Sequence, residues 1–158
     1  MKTLSFFRLV LAVGLCLMVG AVGSLVTTPK IPTWYAGLAK PAWTPPAAAF
    51  PIVWTTLYVL MAVSLWRLWQ LHRPSPGRRL AIGLWFLQLA LNALWSPVFF
   101  GMEAVGAALA VILVLWLAIA ATIWAAARID HVAAWLLTPY LLWVSYATAL
   151  NAAILALN

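Results

Sequence analysis

The chain has 158 residues, 67% of them hydrophobic and 7% charged, with a net charge of +7 and a mean hydropathy of +1.07. Soluble domains are about 45–50% apolar and about 25% charged, so the composition excludes a soluble globular protein and leaves an integral membrane protein. No basic surface is spread over a folded soluble domain, which argues against nucleic acid as a partner.

A hydrocarbon core about 30 Å thick is crossed by about 20 apolar residues in a helix. Five runs meet that length, at about 6–26, 51–71, 80–100, 105–127 and 132–157. They are continuous and rich in Leu and Ala, whereas strands of a membrane barrel show alternating segments of about ten residues. The expected fold class is therefore all-α, a single five-helix transmembrane domain over 1–158. The first run follows Lys2 and Arg8 as a signal peptide would, but its apolar stretch is longer than the usual one and it is read as span 1. Cys16 lies in that span without a second cysteine in the chain, so a buried apolar role is expected for it. Leu15 before it argues against a lipoprotein cleavage site.

The connection at 27–50 is long and contains "WYAGLAKPAWTPPAAAF". Loops of about twenty residues without structure of their own are uncommon unless they act as lids or binding loops. Pro29, Pro32, Pro41, Pro45 and Pro46 restrict its backbone and lower the entropy lost when it folds over a surface.

In span 2, Phe50, Trp54, Tyr58, Met61 and Leu65 recur every three or four residues and share one helical face. The turn "HRPSPGRR" carries two prolines and a glycine that stop one helix and restart the next. Span 3 repeats the pattern with Trp85, Gln88, Asn92, Trp95 and Phe99. Asn92 sits near mid-span, where lipid offers its amide no partner, so it faces protein, water or a ligand. Hydrogen bonding between helices accounts for it as well as ligand binding does, and accounts better for Gln88 and Asn151. Pro97 within span 3 and Pro139 within span 5 are expected to kink or unwind their helices.

Between spans 3 and 4, "FFGMEAVG" offers Gly101 as a C-cap and Glu103 as an anionic residue near the next N-terminus. Trp116 and Trp124, on the apolar span 4, are expected to contact lipid or pack. "RIDH" makes the last tight turn. Span 5 presents Tyr140, Trp143, Ala147 and Asn151 on one face. The methyl of Ala147 either admits a neighbouring helix or leaves room for a ligand. Trp66, Trp69 and Trp135 suit an interfacial aromatic belt, whereas Trp95 and Trp143 lie deeper.

Lys2, Arg8, Arg67, Arg73, Arg78, Arg79 and Arg128 fall on one side of the five spans, and only Lys30 and Lys40 on the other. The positive-inside rule then puts the N-terminus in the cytoplasm, and 27–50 and the C-terminus outside. The cationic excess serves topology and contact with membrane lipid. No Ser–His–Asp grouping, carboxylate cluster or glycine-rich phosphate loop occurs. His72 and His131 lie at cytoplasmic ends, away from the striped faces, so metal and haem ligation by them are not expected. Internal repeats of the kind found in secondary transporters are not evident, which ranks active transport lowest.

"WYAGLAKPAWTPPAAAFPIVWTTLY", "NALWSPVFFG" and "PYLLWVSYATALN", in this order over nearly all of the chain, resemble the tryptophan-rich sensory proteins, also called translocator proteins or the peripheral-type benzodiazepine receptor family. The resemblance implies a five-helix bundle, usually a homodimer, with a pocket toward the loop between helices 1 and 2. That pocket takes porphyrins, synthetic benzodiazepine-site ligands and, in animal members, cholesterol. No cofactor is implied, the porphyrin being a ligand. Carried over by motif, the pocket residues are Trp34, Tyr35, Pro46, Trp54, Asn92, Trp95, Trp143 and Ala147, and the stripe on span 2 adds Tyr58. Light-dependent porphyrin breakdown in some members implicates positions matching Trp34 and Trp143, the two candidates for any catalytic part. Asn151 is followed by "AAILALN" in place of the Tyr and Arg of the animal sterol motif, which puts specific cholesterol binding in doubt. These implications favour a receptor or sensor for flat, largely apolar tetrapyrroles in a bacterial inner membrane, with Lys30 and Lys40 meeting the ligand's carboxylates. A photochemical porphyrin degrader, or a transporter, are the alternatives.

Overall fold

The computed structural model describes residues 2–71 and 75–158, leaving aside the side chain of Lys2. The expectations placed on His72, Arg73 and Lys2's charge lie outside what is described. Among the described residues, six α-helices run α1 (Lys2–Thr27), α2 (Ala49–Gln70), α3 (Pro76–Ser96), α4 (Val105–Ala127), α5 (His131–Trp135) and α6 (Thr138–Leu157). With their continuations they form five segments long and apolar enough to cross a membrane: Thr3–Tyr35, Ala49–Gln70, Pro76–Gly101, Val105–Ala127 and His131–Leu157.

Helix α1 does not stop where the long connection was expected to begin. A 3₁₀ turn at Thr28–Lys30 and a π turn at Ile31–Tyr35 carry it onward. Pro29 and Pro32 each take the second position of their turn, where a missing N–H is tolerated, so each proline changes the helical winding without ending the helix. The irregular strap is thereby reduced to residues 38–48.

The two internal prolines act differently. Pro97 opens a π turn over Pro97–Gly101, in which the Met102 N–H reaches back to the Pro97 carbonyl at 2.8 Å. Pro139 sits in the first turn of α6, just after the helix is interrupted at Leu136 and Leu137, so span 5 is two helices in series. Gly101 is not the left-handed residue that ends the π turn. That conformation falls to Glu103, at φ 56°. Nor does Glu103 cap α4: no side chain caps that helix, and the Glu103 carboxylate instead takes a hydrogen bond from Lys30 Nζ at 2.6 Å.

Helices α1 and α2 pack along each other, as do α3 and α4, and α4 lies against α6. Lipid tails give no hydrophobic drive between helices, so close packing carries the association. Gly20 shows how close: a Cβ built there would lie 2.6 Å from Cε2 of Tyr58. The buried centre includes Cys16, Met61, Leu65, Trp85, Ile119, Leu137 and Tyr140. Bulky apolar side chains such as Phe6, Met18, Leu25 and Leu142 point outward.

One end of the bundle is fastened by arginines. Arg78 Nε donates to the Leu68 carbonyl at 2.9 Å, and Arg8 Nη1 and Arg78 Nη2 donate to that of Trp69. The guanidiniums thus meet carbonyls that α2 leaves free at its C-terminus. Asp130 accepts from the N–H groups of Val132 and Ala133, capping α5, and pairs with Arg67 at 3.0 Å. Burial opposes ionisation of Asp130, but the Ala133 N–H and the Arg67 guanidinium together hold its carboxyl below the ordinary range.

Candidate functional site

In the half of the bundle opposite the arginines, α1, α2, α3, α4 and α6 all contribute to the lining of a cavity of about 590 Å³. Such a volume lies inside the range of roughly 300–1,000 Å³ typical of small-molecule sites. The faces read from sequence converge on it. Trp54 and Tyr58 come from α2, Asn92 and Trp95 from α3, Trp143 and Ala147 from α6, and Tyr35 from the turn after α1. Their rings fall into three groups of aromatic pairs around the cavity. Trp54 lies 5.5 Å from Tyr58 and 6.2 Å from Tyr140 between ring centroids, Phe50 lies 5.9 Å from Trp143, and Trp95 stacks on Phe99 at 4.8 Å.

Two residues expected in the site stand outside its lining. Trp34 packs edge-on against Phe99 and Phe100, at 5.5 and 6.2 Å, in the cluster that seals this end of the bundle. The π turn at Ile31–Tyr35 sends the adjacent Tyr35 to the cavity and turns Trp34 behind it. Pro46 is exposed on the strap, where its carbonyl accepts from the Ala49 N–H at 2.9 Å, and Pro45 takes the lining position instead.

The floor of the cavity is polar. Tyr58 OH donates to Asn92 Oδ1 at 2.9 Å, and Asn92 Nδ2 donates to Tyr140 OH at 3.0 Å, so this amide both ties three helices together and borders the cavity. Asn151 joins helices as its spacing suggested. It accepts from Trp95 Nε1 at 3.2 Å and donates to the Val105 carbonyl at 3.0 Å. Gln88, one turn below Asn92, departs from the expected interhelical bond: it is fully buried, and neither of its amide atoms has a partner among the described residues. Trp85 is sealed in the core below it.

The strap 38–48 covers the cavity from the open end and is held by side chains from α6. Asn158 pairs with both backbone groups of Ala39, at 2.9 and 3.0 Å. Tyr146 OH donates to the Trp43 carbonyl at 2.6 Å, and its ring meets that of Trp43 edge-on. Among the described residues Lys40 is the one charged residue in the lining, and it faces the strap: Nζ donates to the carbonyls of Tyr35 and Leu38, both at 2.7 Å, and lies over the Tyr35 ring. With Lys30 engaged by Glu103, neither lysine is left as the free cation at the mouth that was expected.

Sequence reasoning missed the contribution of α1. Leu17, Gly20, Ala21, Ser24, Thr27 and Thr28 all line the cavity. Their signal was present as small and hydroxyl residues three and four apart at the end of an apolar span. The arrangement offers stacking surfaces, scattered hydroxyls and an amide, suited to holding a flat apolar molecule. Among the described residues no cluster of His, Cys, Asp and Glu forms a metal site.

The profile of the TspO/MBR family matches residues 12–157. The chain is similar to a tryptophan-rich sensory protein of Cereibacter sphaeroides, at 46% identity over 79% of this chain and 77% of the relative. It is 44% identical to the tryptophan-rich protein TspO of Chlorobaculum tepidum over 95% of each chain. The translocator protein of Homo sapiens is 42% identical over 75% of this chain and 70% of its own length.

Proposed function

From the premise that this multi-pass membrane chain belongs to the TspO/MBR family, we propose that it is a membrane receptor or sensor whose ligand is a flat tetrapyrrole such as protoporphyrin, held between the aromatic faces of α2, α3 and α6. The names of the relatives, sensory protein and translocator protein, support a receptor role. The observation that carries the ligand class is the cavity itself: about 590 Å³, walled by Trp54, Tyr58, Trp95 and Trp143, with a single charged residue. Planar rings stack well against such walls, and a mostly apolar pocket with a few placed polar groups is the usual form of a small-molecule site. In this reading the protein is a homodimer in a bacterial inner membrane with its strap outside, and benzodiazepine-site ligands share the cavity.

Tryptophan fluorescence of the purified protein, titrated with protoporphyrin, tests the assignment. Quenching is expected to saturate, and to need about tenfold more ligand in Ala147→Leu, whose added bulk occupies the cavity. Non-saturable quenching, or an affinity unchanged from the wild type in both Ala147→Leu and Trp143→Phe, removes the assignment.

A second reading, light-dependent porphyrin oxidation by oxygen, draws support from the indole of Trp143 in the lining. Trp34 supports it less, because Phe99 and Phe100 stand against its ring. Porphyrin absorbance followed under illumination, with and without protein, tests it.

A further inference from the structure

The cavity has a second character besides its aromatic walls. Ser24 and Thr27 from α1, Thr28 from the turn that follows, Thr55 from α2 and Ser96 from α3 all contribute to its lining. Elsewhere in the bundle, helical hydroxyls turn back on the carbonyl four residues earlier: Thr56 to Ile52, Thr122 to Ala118, Ser145 to Leu141 and Thr148 to Val144, at 2.6 to 2.9 Å. Ser24, Thr27, Thr28, Thr55 and Ser96 make no such bond among the described residues, whereas Thr44, which also lines the cavity, donates to the Pro41 carbonyl at 2.7 Å. Thr55 and Thr56 show the contrast within one turn, since only Thr56 is satisfied by its own helix. Gly23 borders Ser96, and a Cβ there would meet its Oγ at an ordinary contact distance of 3.5 Å. From α6 the cavity is lined by the apolar Trp143, Val144, Ala147 and Leu150.

Resting on the tetrapyrrole reading above, we propose that the hydroxyls of α1, Thr55 and Ser96 form a hydrogen-bonding wall that takes the oxygen-bearing edge of the ligand. The apolar ring then lies toward α6. A hydroxyl donates readily to a carboxylate or carbonyl oxygen, and a hydrogen bond to a charged acceptor is stronger than a neutral one. Lys40 does not compete for that edge, because its ammonium is turned to the strap carbonyls. The site accordingly selects flat aromatic molecules with acceptor oxygens along one edge over fully alkylated ones of the same size.

The test compares protoporphyrin IX, which carries two propionates on one edge, with etioporphyrin, the same ring bearing alkyl groups only. Full-length protein in detergent is titrated with each, for the wild type and for a Ser24→Ala, Thr27→Val, Thr55→Val variant. The variant is expected to lose about tenfold in affinity for protoporphyrin IX and to change little toward etioporphyrin. Thr27→Ser with Thr55→Ser, which keeps both hydroxyls, is expected to retain the wild-type preference. If the triple variant does not fold, Thr55→Val alone carries the comparison. Equal weakening toward both porphyrins, or none, overturns the hydroxyl wall while leaving the tetrapyrrole reading intact. Wild-type protein that binds neither porphyrin overturns both.

Discussion

The phenol of Tyr58 and the amide of Asn92, on neighbouring helices, share a hydrogen bond of 2.9 Å, and the same amide passes a second one to Tyr140 OH at 3.0 Å. All three side chains are buried. Removing Asn92 therefore leaves two phenols without their partner, and unsatisfied groups cost more than a hydrogen bond contributes. Asn92→Ala is expected to lower stability by about 2–4 kcal/mol, and Tyr58→Phe by about 1–2 kcal/mol. Thermal unfolding of the purified protein measures both. The double variant should lose less than the sum, because the two residues share one interaction.

Gly20 faces the ring of Tyr58 so closely that a Cβ would approach Cε2 to 2.6 Å. Gly20→Ala should push the phenol away from Asn92 and cost about 1–3 kcal/mol. Gly14 has nothing within 4 Å of the same construction. Gly14→Ala is expected to be neutral or stabilising by up to about 1 kcal/mol through helix propensity. Matched melting curves of the two variants separate packing from propensity, and equal losses would contradict the close approach.

The strap should loosen before the bundle does. Asn158→Ala removes the paired bonds to Ala39, and Tyr146→Phe removes the bond to Trp43. Amide exchange or proteolysis within 38–48 is expected to rise about tenfold in the double variant, with the helices little affected. Protection that stays unchanged would mean that Lys40 and packing hold the strap by themselves.

Asp130 makes stability depend on acidity. Its carboxyl is held below the ordinary aspartate value by the Ala133 N–H and Arg67. A depressed native value means that the contribution is complete above the unfolded value and disappears as pH falls through the native one. Stability of the wild type should therefore decline below about pH 4. Asp130→Ala should cost about 1–2 kcal/mol at neutral pH, through loss of the cap to α5, and flatten the acid side of the profile. An unchanged acid slope in the variant would assign the decline to other groups.

Much of the site was legible as periodicity. On spans 2, 3 and 5 the striped residues recur every three or four positions, and nine of them, Phe50, Trp54, Tyr58, Asn92, Trp95, Phe99, Trp143, Ala147 and Asn151, meet at the cavity. Residues in non-repeating stretches were not placed this way. Pro45 and Pro46 are adjacent on the strap, and no pattern distinguishes the one that lines the cavity from the one that faces outward. Trp34 and Tyr35 present the same difficulty, resolved only by the winding of the π turn.

A bundle of membrane-crossing helices follows from apolar length, which dictates spans, and the aromatic faces of three helices follow from spacing, which dictates direction around an axis. Depth and partner come from packing. Gln88 and Asn92 share a face one turn apart, yet Asn92 borders the cavity and Gln88 is sealed beneath it. Lys30 and Glu103, 73 positions apart, are an ion pair that no local pattern encodes. Helix α1 is apolar nearly all round, so its cavity wall was set by where α2 and α3 pack against it. Periodicity specifies which way a side chain points; what it meets there depends on helices distant in the chain, whose positions packing alone selects.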